Sequence, residues 1–121
     1  MATLINNTYL RTFNESVLAT PVSVDASSEY AFQIKDKHWK YALVATASTA
    51  GNITFKAGDS PLAGGDLIVP VKVGTNVIAV EDALIKINKP YTVDDNNKGI
   101  LDVVLFTSDV ALTNVMIIKL P

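Results

Sequence analysis

The sequence predicts a single all-β domain built as an antiparallel sandwich, and three observations lead to that prediction. Short apolar runs of strand length recur along the 121 residues, separated about every eight to twelve residues by turns rich in Gly, Pro, Asn and Asp. In the clearest run, Tyr30, Phe32 and Ile34 alternate with less apolar residues, which is the period of a half-buried strand. No stretch combines a helical period with strong helix formers over three turns.

The strands are expected in a definite order along the chain. They comprise residues 30–34, 39–47, 53–56, 67–73, 77–80, 84–87, 101–105 and 115–120. The turn at 49–52 is expected to join the second and third of these strands as a hairpin. Pro70 cannot donate a ladder hydrogen bond, so the run around it is expected at a sheet edge or a bulge. The polar turn at 94–99 is expected to connect two strands.

Residues 1–16 are expected to form an N-terminal arm or edge strand, and residues 17–121 the sandwich domain. The arm carries too many apolar residues for a solvated tail, which leaves two alternatives. It either pairs along the domain's own sheet, as terminal strands commonly do, or adds a strand to a neighbouring subunit. The connectivity of the sandwich is open between an immunoglobulin-like and a jelly-roll-like arrangement.

Composition limits the function of this chain. Hydrophobic residues make up 49% of it and charged residues 18%, a balance that favours a folded domain over a disordered one. The net charge of −2 and the scattered basic residues argue against nucleic-acid binding. The absence of cysteine excludes disulfides and thiolate chemistry. No secretion signal or apolar run of membrane-spanning length is apparent, so synthesis in a cytoplasm and no membrane contact are expected.

His38 and its neighbour Trp39 are the candidates for a chemical site in this part of the chain. His38 is the single histidine, and Asp36 nearby could orient it, but no nucleophile pairs with them. We therefore interpret His38 as a turn residue. Trp39 could stack on a sugar or a base, although a lone aromatic among lysines is more often an edge-of-core residue.

The acidic turns give no stronger sign of chemistry. A calcium loop starting at Asp94 would place Lys98 at its fifth position, where a cation opposes the metal. Asp59 and Asp66 flank a loop rich in Gly and Pro, and we expect each to accept backbone N–H groups within its turn. The sequence therefore predicts no enzyme, no cofactor and no metal.

Three short motifs carry a resemblance to a known family. The run Thr54-Phe55-Lys56-Ala57-Gly58-Asp59, the triplet Gly65-Asp66-Leu67 before a valine-rich strand, and the terminal Lys119-Leu120-Pro121 occur in this order. In this respect the chain resembles the small β-sandwich head decoration proteins of tailed bacteriophages. The resemblance implies a structural protein made in the host cytoplasm that binds the major capsid protein on the outside of the virion. It also implies a homo-oligomer, with a trimer favoured.

The residues expected to contact a partner lie in the arm, in the Gly/Pro loop and beside the histidine. They are Leu4, Ile5, Tyr9, Leu10, Phe13, Trp39, Asp59, Pro61 and Leu62. An alternative function is a carbohydrate-binding or adhesion module that uses Trp39, Tyr41 or Tyr91 as an aromatic platform. A β-sandwich hosts that function readily, but the fold does not establish it.

Overall fold

The computed structural model describes residues 2–121 except 36–39, 62 and 82. The described residues form eleven strands and no helix. The strands are β1 (Thr3–Leu4), β2 (Asn7–Tyr9), β3 (Val22–Val24), β4 (Glu29–Gln33), β5 (Tyr41–Ala47), β6 (Gly51–Phe55), β7 (Leu67–Val71), β8 (Gly74–Val80), β9 (Lys86–Ile87), β10 (Val103–Ser108) and β11 (Leu112–Lys119).

The strands build two sheets that pack on each other, which confirms the predicted sandwich. The first sheet has the order β1-β4-β10-β6-β7, with β9 beside β10. The second has the order β2-β11-β5-β8, with β3 beside β11. Both sheets are mixed rather than purely antiparallel, because β1 lies parallel to β4 and β2 lies parallel to β11. Residues 3–9 thus cross from one sheet to the other within this chain's own sandwich.

The predicted hairpin at 49–52 is wrong. Strand β5 belongs to the second sheet and β6 to the first, so the chain changes sheets between them. The start of β6 bonds instead to the turn after β10: the Asn52 N–H donates to Asp109 Oδ1 at 2.7 Å, and the Asp109 N–H donates to Asn52 O at 3.1 Å. Glycine at 51 permits this approach, since a Cβ there would lie 2.2 Å from Asp109 Oδ1.

The chain also changes sheets between β7 and β8. Residues 74–76, which separate the strands expected at 67–73 and 77–80, begin β8, and the chain crosses at residues 72–73. The Asn76 side chain fixes this crossing: its Oδ1 accepts the Lys72 N–H at 3.0 Å and its Nδ2 donates to Lys72 O at 2.8 Å. Strand β7 is the edge of the first sheet, as Pro70 predicts.

The main core lies between the sheets and follows the predicted alternation. Tyr30, Phe32 and Ile34 are all buried. Phe106 stands at the centre of an aromatic group, with its ring centroid 5.9 Å from those of Tyr30, Phe32 and Phe55. Tilted and offset contacts of this kind stabilise a core beyond simple area burial.

Candidate functional site

The N-terminal contact residues predicted from the sequence divide into buried and exposed ones. Ile5 is buried in the main core, and the half-buried Leu4 packs against a second apolar cluster on the first sheet. Ile5 is therefore not available to a partner, contrary to the prediction. Tyr9 is exposed, and Leu10 is half-buried with its N–H donating to Lys119 O at 2.9 Å.

Residues 10–21 form a loop that leaves and rejoins the β11 edge of the second sheet, between β2 and β3. The Glu15 carboxylate fixes its first turn by accepting the N–H groups of Thr12 and Arg11, and these hydrogen bonds lower the pKa of Glu15. Phe13 is 81% exposed and Leu18 fully exposed. Between the loop and the strands is a hollow of about 610 Å³. The loop is thus one apolar surface open to a partner.

The middle segment, residues 57–66, is an anchoring element. The Asp59 carboxylate accepts the N–H groups of Asn88 and Lys89 at 3.0 Å, so it bonds to a distant segment rather than within its own turn. These donors lower the pKa of Asp59 to about 2. Asp66 accepts the Ala57 N–H at 2.9 Å, which closes the base of the loop as predicted. Both carboxylates thus hold the chain together.

Of the other predicted contacts, Pro61 is exposed, while Trp39 and Leu62 lie outside the described residues, as does His38. Tyr41, a candidate for the aromatic platform, is buried in the main core, where its hydroxyl accepts the Lys35 N–H at 3.3 Å. Tyr91 is half-buried against the second apolar cluster. The buried Tyr41 ring therefore presents no free face for sugar stacking.

The outer face of the first sheet, here called the covered face, is closed by the chain itself. Residues 86–102, the covering segment, lie across it. Their apolar side chains meet those of β1, β4 and β10 in the second cluster, formed by Ala2, Leu4, Ala31, Ile87, Tyr91, Val93, Ile100, Val103 and Leu105. Hydrogen bonds attach the segment to the first sheet in its middle and at its end: the Ala2 N–H donates to Val93 O at 3.2 Å, and the Ile34 N–H donates to Asp102 O at 2.9 Å.

The outer face of the second sheet, here called the open face, lacks such a cover among the described residues. Strand registers arrange it as three rows across β11, β5 and β8. The rows are Ile118-Ala42-Ala79, Met116-Val44-Val77 and Thr113-Thr46-Thr75. All nine side chains are uncharged, and Val77 is 70% exposed. Two of the rows are apolar and the third consists of threonines, and an uncharged surface of this kind is typical of a protein–protein contact.

Sequence reasoning missed the open face, although a signal for it exists. In β5, buried Leu43 and Ala45 point inward, while the alternate residues Ala42 and Val44 point outward and are also apolar. A strand that is apolar on both sides needs cover on both sides. The same pattern in β10 is satisfied by the covering segment; in β5 it is not.

No three His, Cys, Asp or Glu side chains among the described residues lie close enough to hold a metal ion. The described residues also include no helix that could span a membrane. No known protein family, curated protein or solved structure matches this chain. The loop at 10–21 and the open face are therefore the surfaces of the described residues that suggest a function.

Proposed function

We propose that this protein is a non-enzymatic structural protein that binds the outside of a tailed-phage capsid, with the open face as its contact surface. The observation that carries the proposal is the contrast between the two sheets. One outer face is covered by residues 86–102, whereas the other has three uncharged rows and no cover among the described residues. Burying such a surface against another protein removes apolar area from water, which favours association.

The resemblance of the KAGD, GDL and terminal KLP motifs to phage head decoration proteins supports the capsid as the partner. A protein of this kind needs no catalytic group. Because it binds a shell in its folded form, binding stabilises that form, and many weak contacts on one lattice reinforce each other. The exposed Phe13 and Leu18 of the loop at 10–21 offer a second apolar contact at the β11 edge of the same sheet.

The test is co-sedimentation of the purified protein with capsids of the phage that encodes it. Met116→Lys places a charge in the middle row of the open face, where the side chain points outward. We expect at least a tenfold weaker association, because the buried ammonium would lose its hydration without gaining a partner. Leu101→Lys is the matched control, since Leu101 is an exposed residue of the covering segment, on the other sheet.

Circular dichroism and thermal melting establish that both variants fold. Capsid association of Met116→Lys equal to that of the wild type would show that the open face is not the contact. Failure of the wild-type protein to sediment with capsids at any concentration tested would contradict the proposed function itself.

A further inference from the structure

Strand β8 is an open edge of the second sheet. It pairs with β5 along all seven of its residues, without an irregularity in register, and no described strand lies on its other side. Its sequence, GTNVIAV, contains no charged residue and no proline. Edge strands are usually protected by lysine, proline, a bulge or short length, because free N–H and C=O groups otherwise pair with another chain.

The other edges have such protection. Pro70 interrupts β7, at the edge of the first sheet. At the opposite side of the sandwich, β1 has two residues and β2 has three, so neither presents a ladder of useful length. Strand β8 is thus the longest edge that carries none of these devices within the described chain.

We propose that β8 pairs antiparallel with β8 of a second copy about a two-fold axis at Val77. The second sheets of the two copies then form one continuous sheet. Val77 then lies opposite Val77 of the second copy, and Thr75 lies opposite its Ala79. Every cross-strand pair within the strand is uncharged or apolar. A self-complementary contact of this kind is what a two-fold dimer requires.

The charges at the two ends of β8 favour this antiparallel arrangement. Lys72 precedes the strand and Glu81 follows it, and both are exposed. In the antiparallel pair, the end of β8 next to Lys72 lies against the end next to Glu81 of the other copy, so that each end of the paired strands carries charges of opposite sign. A parallel pair would bring like charges together, which is unfavourable.

The area of the open face gives an independent argument for a second copy. The three strands of the open face, about 4.8 Å apart, and its three rows, about 6.8 Å apart, span roughly 300 Å². A standard interface buries about 800 Å² on each partner, so one open face is too small to bind firmly by itself. Joining two copies through β8 doubles this area to roughly 600 Å², which is closer to the area of a standard interface. The pairing does not depend on the capsid proposal, and it gives a dimer where the resemblance implies a trimer.

Disulfide trapping tests the pairing and its register, because the chain has no native cysteine. Opposite residues in an antiparallel pair have Cα atoms about 4.5 to 5.5 Å apart, within the range of a disulfide. We expect Val77→Cys to form a covalent dimer on mild oxidation. A mixture of Thr75→Cys and Ala79→Cys should form the mixed dimer, whereas Thr75→Cys alone should not, because its two copies lie about 14 Å apart.

Thr113→Cys is the matched control, since Thr113 lies on the same face but away from the edge. Efficient trapping through position 113 and not through position 77 would overturn the proposal in favour of face-to-face stacking. Sedimentation equilibrium of the wild type should give twice the 13.0 kDa chain mass. A monomer or a trimer in the sedimentation equilibrium experiment would also overturn the proposal.

A charge exchange provides the second variant pair. Val77→Lys and Val77→Glu should each be folded monomers, because like charges would face each other across the axis. Mixing the two should restore the dimer through Lys–Glu pairing. Failure of the mixture to associate, with both variants folded by circular dichroism, would contradict the two-fold axis at Val77.

Discussion

The outer faces of both sheets carry apolar side chains, but only the face of the first sheet is covered by another part of the described chain. On the first sheet, Val103 and Leu105 point outward and are buried under residues 86–102. On the second sheet, Val44 and Val77 lie opposite each other in the middle row and point outward, and Val77 is 70% exposed. The comparison shows that an apolar outer face identifies a surface that needs cover, while the topology decides whether the same chain supplies it.

The cover is attached by polar contacts at its margins and by apolar packing in its middle. Asp59 binds the N–H groups of Asn88 and Lys89 near the start of the covering segment. An ion pair of 3.8 Å between Lys86 and Asp102 joins its two ends. These contacts hold the covering segment on the outer face of the first sheet, whereas the open face has no such contacts among the described residues.

The comparison predicts that a Val→Ala substitution lowers the free energy of unfolding much more on the covered face than on the open face. Val103→Ala removes two methyl groups from a site that is 0% exposed, and we expect a loss of about 2 to 3 kcal/mol in the free energy of unfolding. Val77→Ala at the open face should change it by no more than about 0.5 kcal/mol. Urea unfolding of both variants measures the difference.

Equal losses at the two positions would break the comparison, because they would show that Val77 is as tightly packed as Val103. That measurement belongs at low protein concentration. Association through β8 would otherwise contribute to the stability of the wild type by mass action.

A second prediction concerns the place where the covering segment starts. A Cβ at Gly58 would lie 2.2 Å from the backbone oxygen of Lys86, so Gly58→Ala must displace one backbone from the other. We expect a loss of about 1 to 3 kcal/mol, comparable to overpacking a core. Gly64→Ala is the control, because a Cβ at Gly64 has no heavy atom within 4 Å and should be nearly neutral. A neutral Gly58→Ala would show that the cover does not need this contact.

The sequence predicted what depends on local periodicity and missed what depends on long-range pairing. The alternation of Tyr30, Phe32 and Ile34 and the edge position of Pro70 are local features, and the structure contains them. The polar turn expected at 94–99 is also present, but isolated bridges flank it rather than the two strands that were expected. The hairpin after β5 failed because turn residues at 49–52 are equally suited to a change of sheet. What decides is the bonding of Asn52 to Asp109, 57 residues away.

The same limit applies to the candidate site. Asp59 accepts backbone N–H groups, but the expectation that they lie within its own turn is wrong, and its donors at 88 and 89 are not recognisable from spacing. Ile5 looked like part of an exposed arm, because a short strand that crosses between sheets has no distinctive pattern. The open face could have been found from the two-sided apolar character of β5, but whether the chain covers it could not.

The smallest predicted effect is the pH dependence of the cover. The N–H groups of Asn88 and Lys89 lower the pKa of Asp59 from 3.8 to about 2, so the folded state binds this proton less readily than the unfolded state. The stability contributed by the Asp59 carboxylate is therefore complete above about pH 4 and is lost as the pH falls from 3.8 through 2. Asp59→Asn should melt at a lower temperature than the wild type at pH 6, by less than Gly58→Ala does.

The difference in melting temperature between Asp59→Asn and the wild type should shrink as the pH falls towards 2, since protonation removes the same charge that the substitution removes. Asp95→Asn is the matched control, because Asp95 is exposed at the tip of the turn in the covering segment. It should run parallel to the wild type across this range. A constant difference for Asp59→Asn would mean that the side chain acts by shape alone. The cover would then be held by its apolar cluster, and the polar margin would contribute little to the contrast between the two faces.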